Sequence, residues 1–577
     1  MVDAVPDFTL EAHDVSSFSM LPFDVFPDGE DRFLDSHMFA LPAANSIQLA
    51  GLTLDVDLTA SLGQTPAGRT SITDQGLSTW NQNHLSTTPL TPGIPQAPRW
   101  TEGPDANLAL IESWFEQVCP AWSAFDSTVN LNRTLANSLW HRSASVFNSL
   151  QSMSASFLSA RLPHLRRQAL ALLNTASACV QAEMDDIKGN PSIEAFPTGL
   201  MFSLLCLGTS VCWLDARLLG LPFLKEAKAL LGRLSDQCLD TRDDAAQDFL
   251  FFRNSLVYWE MLLAVVNGGD IAGGTDELVS RERNKSETIT DLLPHPWTGI
   301  SSMTARLFSR SVTLCRAYRR ILTRPTRRVI ALSAAMEAFQ GAQKLEEQLL
   351  SLDYSSMSRM NDTGDQKTPW LHLACAAEAY QLAALLQLYI TFPDLVSMRL
   401  QLASALPDED HTSWDKLITP LACDLVKVLK KIPPDSGSRV IQPILYICAS
   451  TGLRYGRLDT PAPSAPHRLE TGIPNGAAYL DCINSNILDY VDQIVATSDK
   501  QTDSSRAPLE DVGIGASREF IMKRLDILEN TLQPRPIRVA KDLVKAIWTA
   551  YDGEPPGCIS VHWFDVMEAH DLRSLFG

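Results

Sequence analysis

Few side chains in this chain are typed and spaced for chemistry. Its eleven cysteines, at positions 119, 179, 206, 212, 238, 315, 375, 423, 448, 482 and 558, stand singly, mostly inside apolar runs. No two form a C-x-x-C, and the nearest pair, Cys206 and Cys212, sits in a helical pattern without zinc-ligand spacing. An odd, scattered set of this kind reads as buried reduced thiols of a cytosolic or nuclear protein. His562 and Asp565 fall on one helical face beside Trp563, but no nucleophile or third partner accompanies them, and packing at a helix end is the simpler account. Gly513, Gly515 and Ser517 (GIGAS) faintly resemble a phosphate-binding turn; no strand precedes them, so they read as a structural loop. Phosphate-loop, H-E-x-x-H and G-x-S-x-G signatures are absent, and paired acids such as Asp185/Asp186 and Glu346/Glu347 read as solvated helix faces or ends. Neither a catalytic residue nor a metal ligand is expected, and the chain is not expected to be an enzyme.

One basic segment stands out. Arg306 to Arg328 (RLFSRSVTLCRAYRRILTRPTRR) holds eight arginines and no acid. As a functional element it would be a nuclear-import patch, centred on Arg319, Arg320, Arg324, Arg327 and Arg328, or a contact for an acidic partner. Pro325 favours exposure, since it ends the preceding helix and throws Arg327 and Arg328 into the following turn. As a structural element it would be an amphipathic helix with Leu307, Val312, Leu314 and Ile321 inward and its arginines solvated or paired with acids elsewhere.

A second patterned segment opens the chain. In the first forty residues nine acids interleave with six phenylalanines, and acid keeps such aromatics available to a partner groove. Phe18, Phe23 and Phe26 are the candidates for an activation tail that docks into a coactivator; an ordinary acidic terminus has the same composition. Residues 1–104 hold 13 acids against three bases, so this fifth of the chain carries more than half of the net charge of −19. Ten prolines and no sustained helical period mark 1–104 as a disordered tail.

The elements that must position these groups are helical. Leu204, Leu207, Val211, Leu214 and Leu218 alternate spacings of three and four, and Leu417, Leu421, Leu425 and Val428 form another such stripe. No window alternates with period two, so the fold class is all-α: a multi-helix domain over 105–577 after the acidic tail. Its length predicts two or more helical layers or subdomains. Loops of a dozen or more residues are expected at Tyr354–Thr368 and Ser498–Gly515, among others. The most apolar run, Leu256 to Val266, is 11 residues long and holds Glu260, too short to span a bilayer; no membrane association is expected. The acidic start MVDAVPDFTLEAHD is no signal peptide, which leaves a soluble intracellular protein.

Taken in order, several runs resemble one family: WFEQVCPAWSAFDS from Trp114, FPTGLMFSLLCLGTS from Phe196, LVYWEMLLAVVNGG from Leu256, HPWTGISS from His295, IPPDSGSRVIQPILYICASTGLRYG from Ile432, and the closing LVKAIWTAYD and HWFDVMEAHDL. Over residues 107–577 the chain resembles the regulatory, fungal-specific transcription factor domain of binuclear zinc-cluster proteins, in its second, shorter-signature variety. That resemblance implies an all-helical regulator of transcription by RNA polymerase II, located in the nucleus. Its partners would be the transcription machinery or a coactivator and a homo- or heterodimer partner. The family's six-cysteine zinc cluster is missing, because residues 1–106 contain no cysteine. No cofactor is therefore expected in this chain, and DNA would be reached only indirectly or through a missing N-terminal segment. A helical small-molecule-binding protein, an enzyme with an unrecognised pocket and a helical scaffold are the alternatives.

Overall fold

A computed structural model describes residues 46–49, 52–55, 104–189, 195–238, 243–267, 294–323, 328–352, 354, 362–403, 417–455, 507–554 and 560–577. Helices account for nearly all of them. In chain order they are α1 (Pro104–Ser113), α2 (Cys119–Trp122), α3 (Leu131–Leu139), α4 (Ala144–Leu158), α5 (Leu165–Gly189), α6 (Thr198–Ser210), α7 (Leu221–Cys238) and α8 (Asp243–Val266). There follow α9 (Ser302–Thr323), α10 (Arg328–Leu350), α11 (Trp370–Thr391), α12 (Pro393–Ala403), α13 (Thr419–Lys431), α14 (Pro443–Ser450), α15 (Ala507–Thr531), α16 (Pro534–Asp552) and α17 (Trp563–Ala569). The all-α class holds. Outside it stands a short antiparallel hairpin, β1 (Ser46–Leu49) with β2 (Leu52–Asp55), pairing Ile47 with Leu54 and Leu49 with Leu52. Its sequence, SIQL and LTLD, does alternate, a pattern too short to register beside the helical stripes. It falls inside the stretch read as tail, most of which, with Phe18, Phe23 and Phe26, lies outside the described residues.

Length predicts two or more helical layers or subdomains; Ser46–Gly577 forms one unit, and one apolar cluster runs from Leu110 to Phe576. α11 is its axis. Apolar on all sides and buried nearly throughout, it packs against α9, α13, α14 and α10. Its buried amides tie it to other elements: Gln381 Nε2 donates to the Leu349 carbonyl, though its Oε1 has no partner, and Gln387 Nε2 donates to Thr451 Oγ1 at 3.0 Å. Residues Ala246–Val266 of α8 and all of α11 are long and apolar enough to cross a membrane, yet 83% and 89% of these windows are buried inside the protein. They are core helices; the single Glu260 that interrupts the apolar run of α8 pairs with Lys228.

Small residues set the closest approaches. α4 buries Ser145, Ser149, Ser152 and Ser156 against α5 and α6, and Ser143 caps its start by accepting the Val146 N–H. Gly208 of α6 faces the Trp259 ring of α8, leaving no space for a β-carbon, and Gly220, at φ +65°, crowds the Gly208 carbonyl in the same way.

Of the expected loops, one is a loop held in place and part of another is helical. The end of the 354–368 stretch is pinned: Asp365 Oδ2 accepts the Asp126 N–H at 3.1 Å and the Thr368 hydroxyl at 3.0 Å, and Ser127 Oγ donates to the Thr363 carbonyl at 2.5 Å. GIGAS lies not in a loop but within α15, where Gly515 looks toward the Tyr455 hydroxyl. A glycine in a helix costs about 1 kcal/mol against alanine, which packing of the remaining turns readily overrides.

Candidate functional site

The basic segment is helix α9, and much of it faces other helices. With no acid on its own surface, it buries Leu307, Phe308, Ser311, Val312 and Cys315 against α8 and α11. Arg316 follows on the same side and is buried too. Its Nη1 donates to the Val265 carbonyl at 2.8 Å, its Nη2 to Glu568 Oε1 at 2.6 Å, and its guanidinium lies 4.7 Å from the Phe564 ring centre. Burial pulls its pKa down to about 10, so it remains a cation at neutral pH, held by the opposing charge of Glu568. Arg319 donates to Asp565 one turn earlier on α17, with its own Nε buried and unpartnered. Two of the eight arginines thus clamp the last helix instead of facing water.

Of the five arginines proposed for import, Arg319 is in this clamp and Arg320 is half-exposed at the end of α9. Arg324 and Arg327 lie outside the described residues. Arg328 opens α10 rather than standing in a turn, and its side chain is not described. α9 does end at Thr323, just ahead of Pro325. Leu314 and Ile321 are half-buried.

His562 is the other half of this junction. It caps α17, its Nδ1 accepting the Phe564 N–H at 3.2 Å, so the ring proton sits on Nε2 and is offered to Thr391 Oγ1 at 3.3 Å. Burial, with the charges of Arg319 and Arg316, drops its pKa to about 3. It is a neutral cap. Asp565 serves Arg319, and Trp563 Nε1 donates to Gln387 Oε1 at 2.7 Å.

A serine–histidine pair is found where the sequence showed none. The HPWTGISS run makes a tight turn closed by His295 and Gly299, whose φ of +63° suits glycine. His295 Nδ1 accepts the N–H groups of Trp297 and Thr298, both at 3.1 Å, which places its proton on Nε2. Nε2 lies 3.2 Å from both Ser255 Oγ and the Phe251 carbonyl, while Ser255 itself donates to that carbonyl. The tautomer is wrong for a general base, the pair is fully buried, and burial lowers the histidine pKa to about 3. The turn's work is structural: Trp297 Nε1 donates to the Trp122 carbonyl at 2.6 Å, and the two rings meet edge to face at 4.8 Å. A pocket beside it, between Tyr258, Trp297, Thr304 and Tyr380, has room for about one water molecule.

A further arginine was not marked by its sequence. Arg518 of α15 donates through Nε and Nη2 to the Leu453 carbonyl, binds both oxygens of Asp552, and stacks 4.2 Å from the Tyr455 ring. The nearby Arg454 pairs with Glu554 and covers Tyr551 at 4.1 Å. These groups hold the exit of α14 to α16. Among the described residues, no group of three or more His, Cys, Asp or Glu is placed to hold a metal ion.

Comparison with known proteins finds no match among curated proteins and none among solved structures. One family model does match, the fungal specific transcription factor domain, over residues 109–453 and 505–577. The match takes in the clamp, the HPW turn and the α14–α16 junction. The chain therefore belongs to the fungal specific transcription factor domain family.

Proposed function

We propose that this chain, a regulator of transcription by its family, acts in the nucleus on transcription by RNA polymerase II, with the helical domain as its regulatory part and the acidic Phe-containing segment as its activating part. The family match across the helical residues carries the reading. Its kinship within the family is to the zinc-cluster regulators, and it reaches DNA through a partner or another segment. The buried His295–Ser255 pair, in the wrong tautomer, supports a non-catalytic domain, and a pocket with room for about one water molecule lends no support to an effector cavity there.

The full chain fused to a heterologous DNA-binding module tests this. It is expected to activate a reporter, and Phe18→Ala/Phe23→Ala/Phe26→Ala should abolish most of that activation at equal protein level. A fusion that neither activates nor represses would overturn the regulatory reading, and full activity of the triple variant would remove the aromatic tail from it.

A further inference from the structure

Arg161, Arg166, Arg167 and Arg535 meet at one corner of the protein, where the turn after α4, the first turn of α5 and the first turn of α16 come together. Backbone oxygens fix the placement of Arg161, Arg166 and Arg535. Arg535 Nη1 donates to the carbonyls of Trp213 at 2.6 Å and Leu214 at 2.7 Å. Arg166 Nη2 donates to the same Leu214 oxygen at 3.3 Å, and Arg161 Nη2 to the Asn530 carbonyl at 3.3 Å. Arg167 is exposed and makes no polar contact among the described residues, and the Nε of Arg166 is buried without a partner.

Cations outnumber acids at this corner. The chain has 67 acidic residues against 48 basic ones, and Arg133, Arg316, Arg319, Arg399, Arg454 and Arg518 all find a carboxylate. Among the described residues these four make no ion pair. Asp215 pairs with Arg217 while its charge also reaches Arg166 and Arg535, and Glu529 pairs with Arg538 and Lys541. Two guanidinium groups sharing one carbonyl repel each other, and a single peptide dipole does not neutralise two cations. Burial, then the charge of Arg166, lowers the pKa of Arg535, with the charge of Asp215 opposing the shift. Guanidinium groups in surplus over nearby acids suit bidentate capture of carboxylates.

We propose that this corner is a docking surface for an acidic peptide segment of a partner protein, whose carboxylates pair with Arg166, Arg167 and Arg535. The surface is independent of the nuclear reading above. A peptide fits better than DNA, because a net charge of −19 repels a long polyanion while a short segment meets only the local field.

Fluorescence anisotropy of the full chain at low ionic strength, with a dye-labelled oligoglutamate peptide as one probe and a labelled short DNA duplex as the other, tests this. The peptide should bind and be released by salt, and the duplex should bind more weakly. Arg167→Glu, at a side chain with no role in the fold, should weaken peptide binding roughly tenfold or more, as loss and reversal of one charge pair predicts. Arg166→Gln/Arg535→Gln should do the same, with folding checked by circular dichroism. Peptide affinity unchanged in Arg167→Glu, no peptide binding by the unaltered chain, or tighter binding of the duplex would each overturn the proposal.

Discussion

Arg316 and Glu568 join the middle of the chain to its last helix through a bond of 2.6 Å, from a guanidinium only 5% exposed to a carboxylate 55% exposed. The asymmetry decides what the pair is worth. The arginine has left water and needs its partner, whereas the glutamate has not. Glu568→Gln should therefore destabilise the protein by about 1–2 kcal/mol, the scale of a charge-assisted hydrogen bond discounted for exposure. Urea unfolding followed by tryptophan near-ultraviolet circular dichroism reads this directly. A variant whose midpoint matches the parent would show that the Val265 carbonyl alone suffices.

The same junction predicts acid sensitivity. Folded His562 takes up a proton only near pH 3, whereas an unfolded histidine does so near 6.5. Between those values the unfolded state binds more protons, so stability is full above about pH 6.5 and falls as pH drops toward 3. His295 contributes in the same direction over the same window. Each should cost about 2 kcal/mol at pH 5. His562→Asn keeps a capping side chain but cannot titrate. The stability lost between pH 7 and pH 5 should shrink in this variant by about 2 kcal/mol; an unaltered pH dependence would place the sensitivity elsewhere.

These junctions explain why the fold was legible in the sequence and the site was not. Leu421, Leu425 and Val428 lie on the buried face of α13, with Leu417 buried just ahead of it, because one-sided burial leaves a 3.6-residue period in the chain. α11 leaves no such trace of orientation: Ala379, Ala383 and Leu388 are buried together with Leu382 and Tyr389, so its central place shows only in three dimensions. Arginine is a weaker guide still. Arg316 and Arg167 each lie on a helix with an apolar stripe, yet one is buried against a carboxylate 252 residues away and the other is exposed and makes no polar contact among the described residues. Nothing local separates them. GIGAS shows the opposite error, where glycine spacing suggested a loop and contacts elsewhere on α15, such as buried Ile521 and Leu525, kept it helical.

Close packing of α6 on α8 makes a sharp prediction. Gly208→Ala places a methyl group inside the contact distance of the Trp259 ring and of Phe223. Both neighbours are fully buried and have nowhere to retreat. The cost should be about 1–3 kcal/mol, the usual scale of overpacking. Equal thermal stability of parent and variant would mean that Trp259 is not seated against this glycine.

The fully buried cysteines should be unreactive in the purified chain. Burial raises the pKa of Cys212 and Cys315 to about 12 and pushes Cys119, Cys206 and Cys448 up as well, so these remain thiols, and zinc requires thiolates. Metal analysis of protein purified without chelator should find well below one zinc per chain. Stoichiometric zinc, retained through gel filtration, would overturn this and reopen direct DNA recognition.

Nuclear import is the prediction on which the structure bears most unevenly. A receptor reads arginines as charges in water, and Arg319 is not free to be read while Asp565 holds it. Arg319→Gln alone should therefore leave the nuclear accumulation of a fluorescent fusion unchanged. Arg324→Gln/Arg327→Gln/Arg328→Gln should shift the fusion toward the cytoplasm, because these three make up the run beyond α9. The pair of variants also separates signal from scaffold. Loss of the Asp565 bond loosens α17 and lowers stability without touching the run, whereas the triple variant removes charge without touching the clamp. Import lost in Arg319→Gln while the protein stays folded would move the signal onto α9. Accumulation unchanged in the triple variant would show that these arginines do not carry the chain into the nucleus.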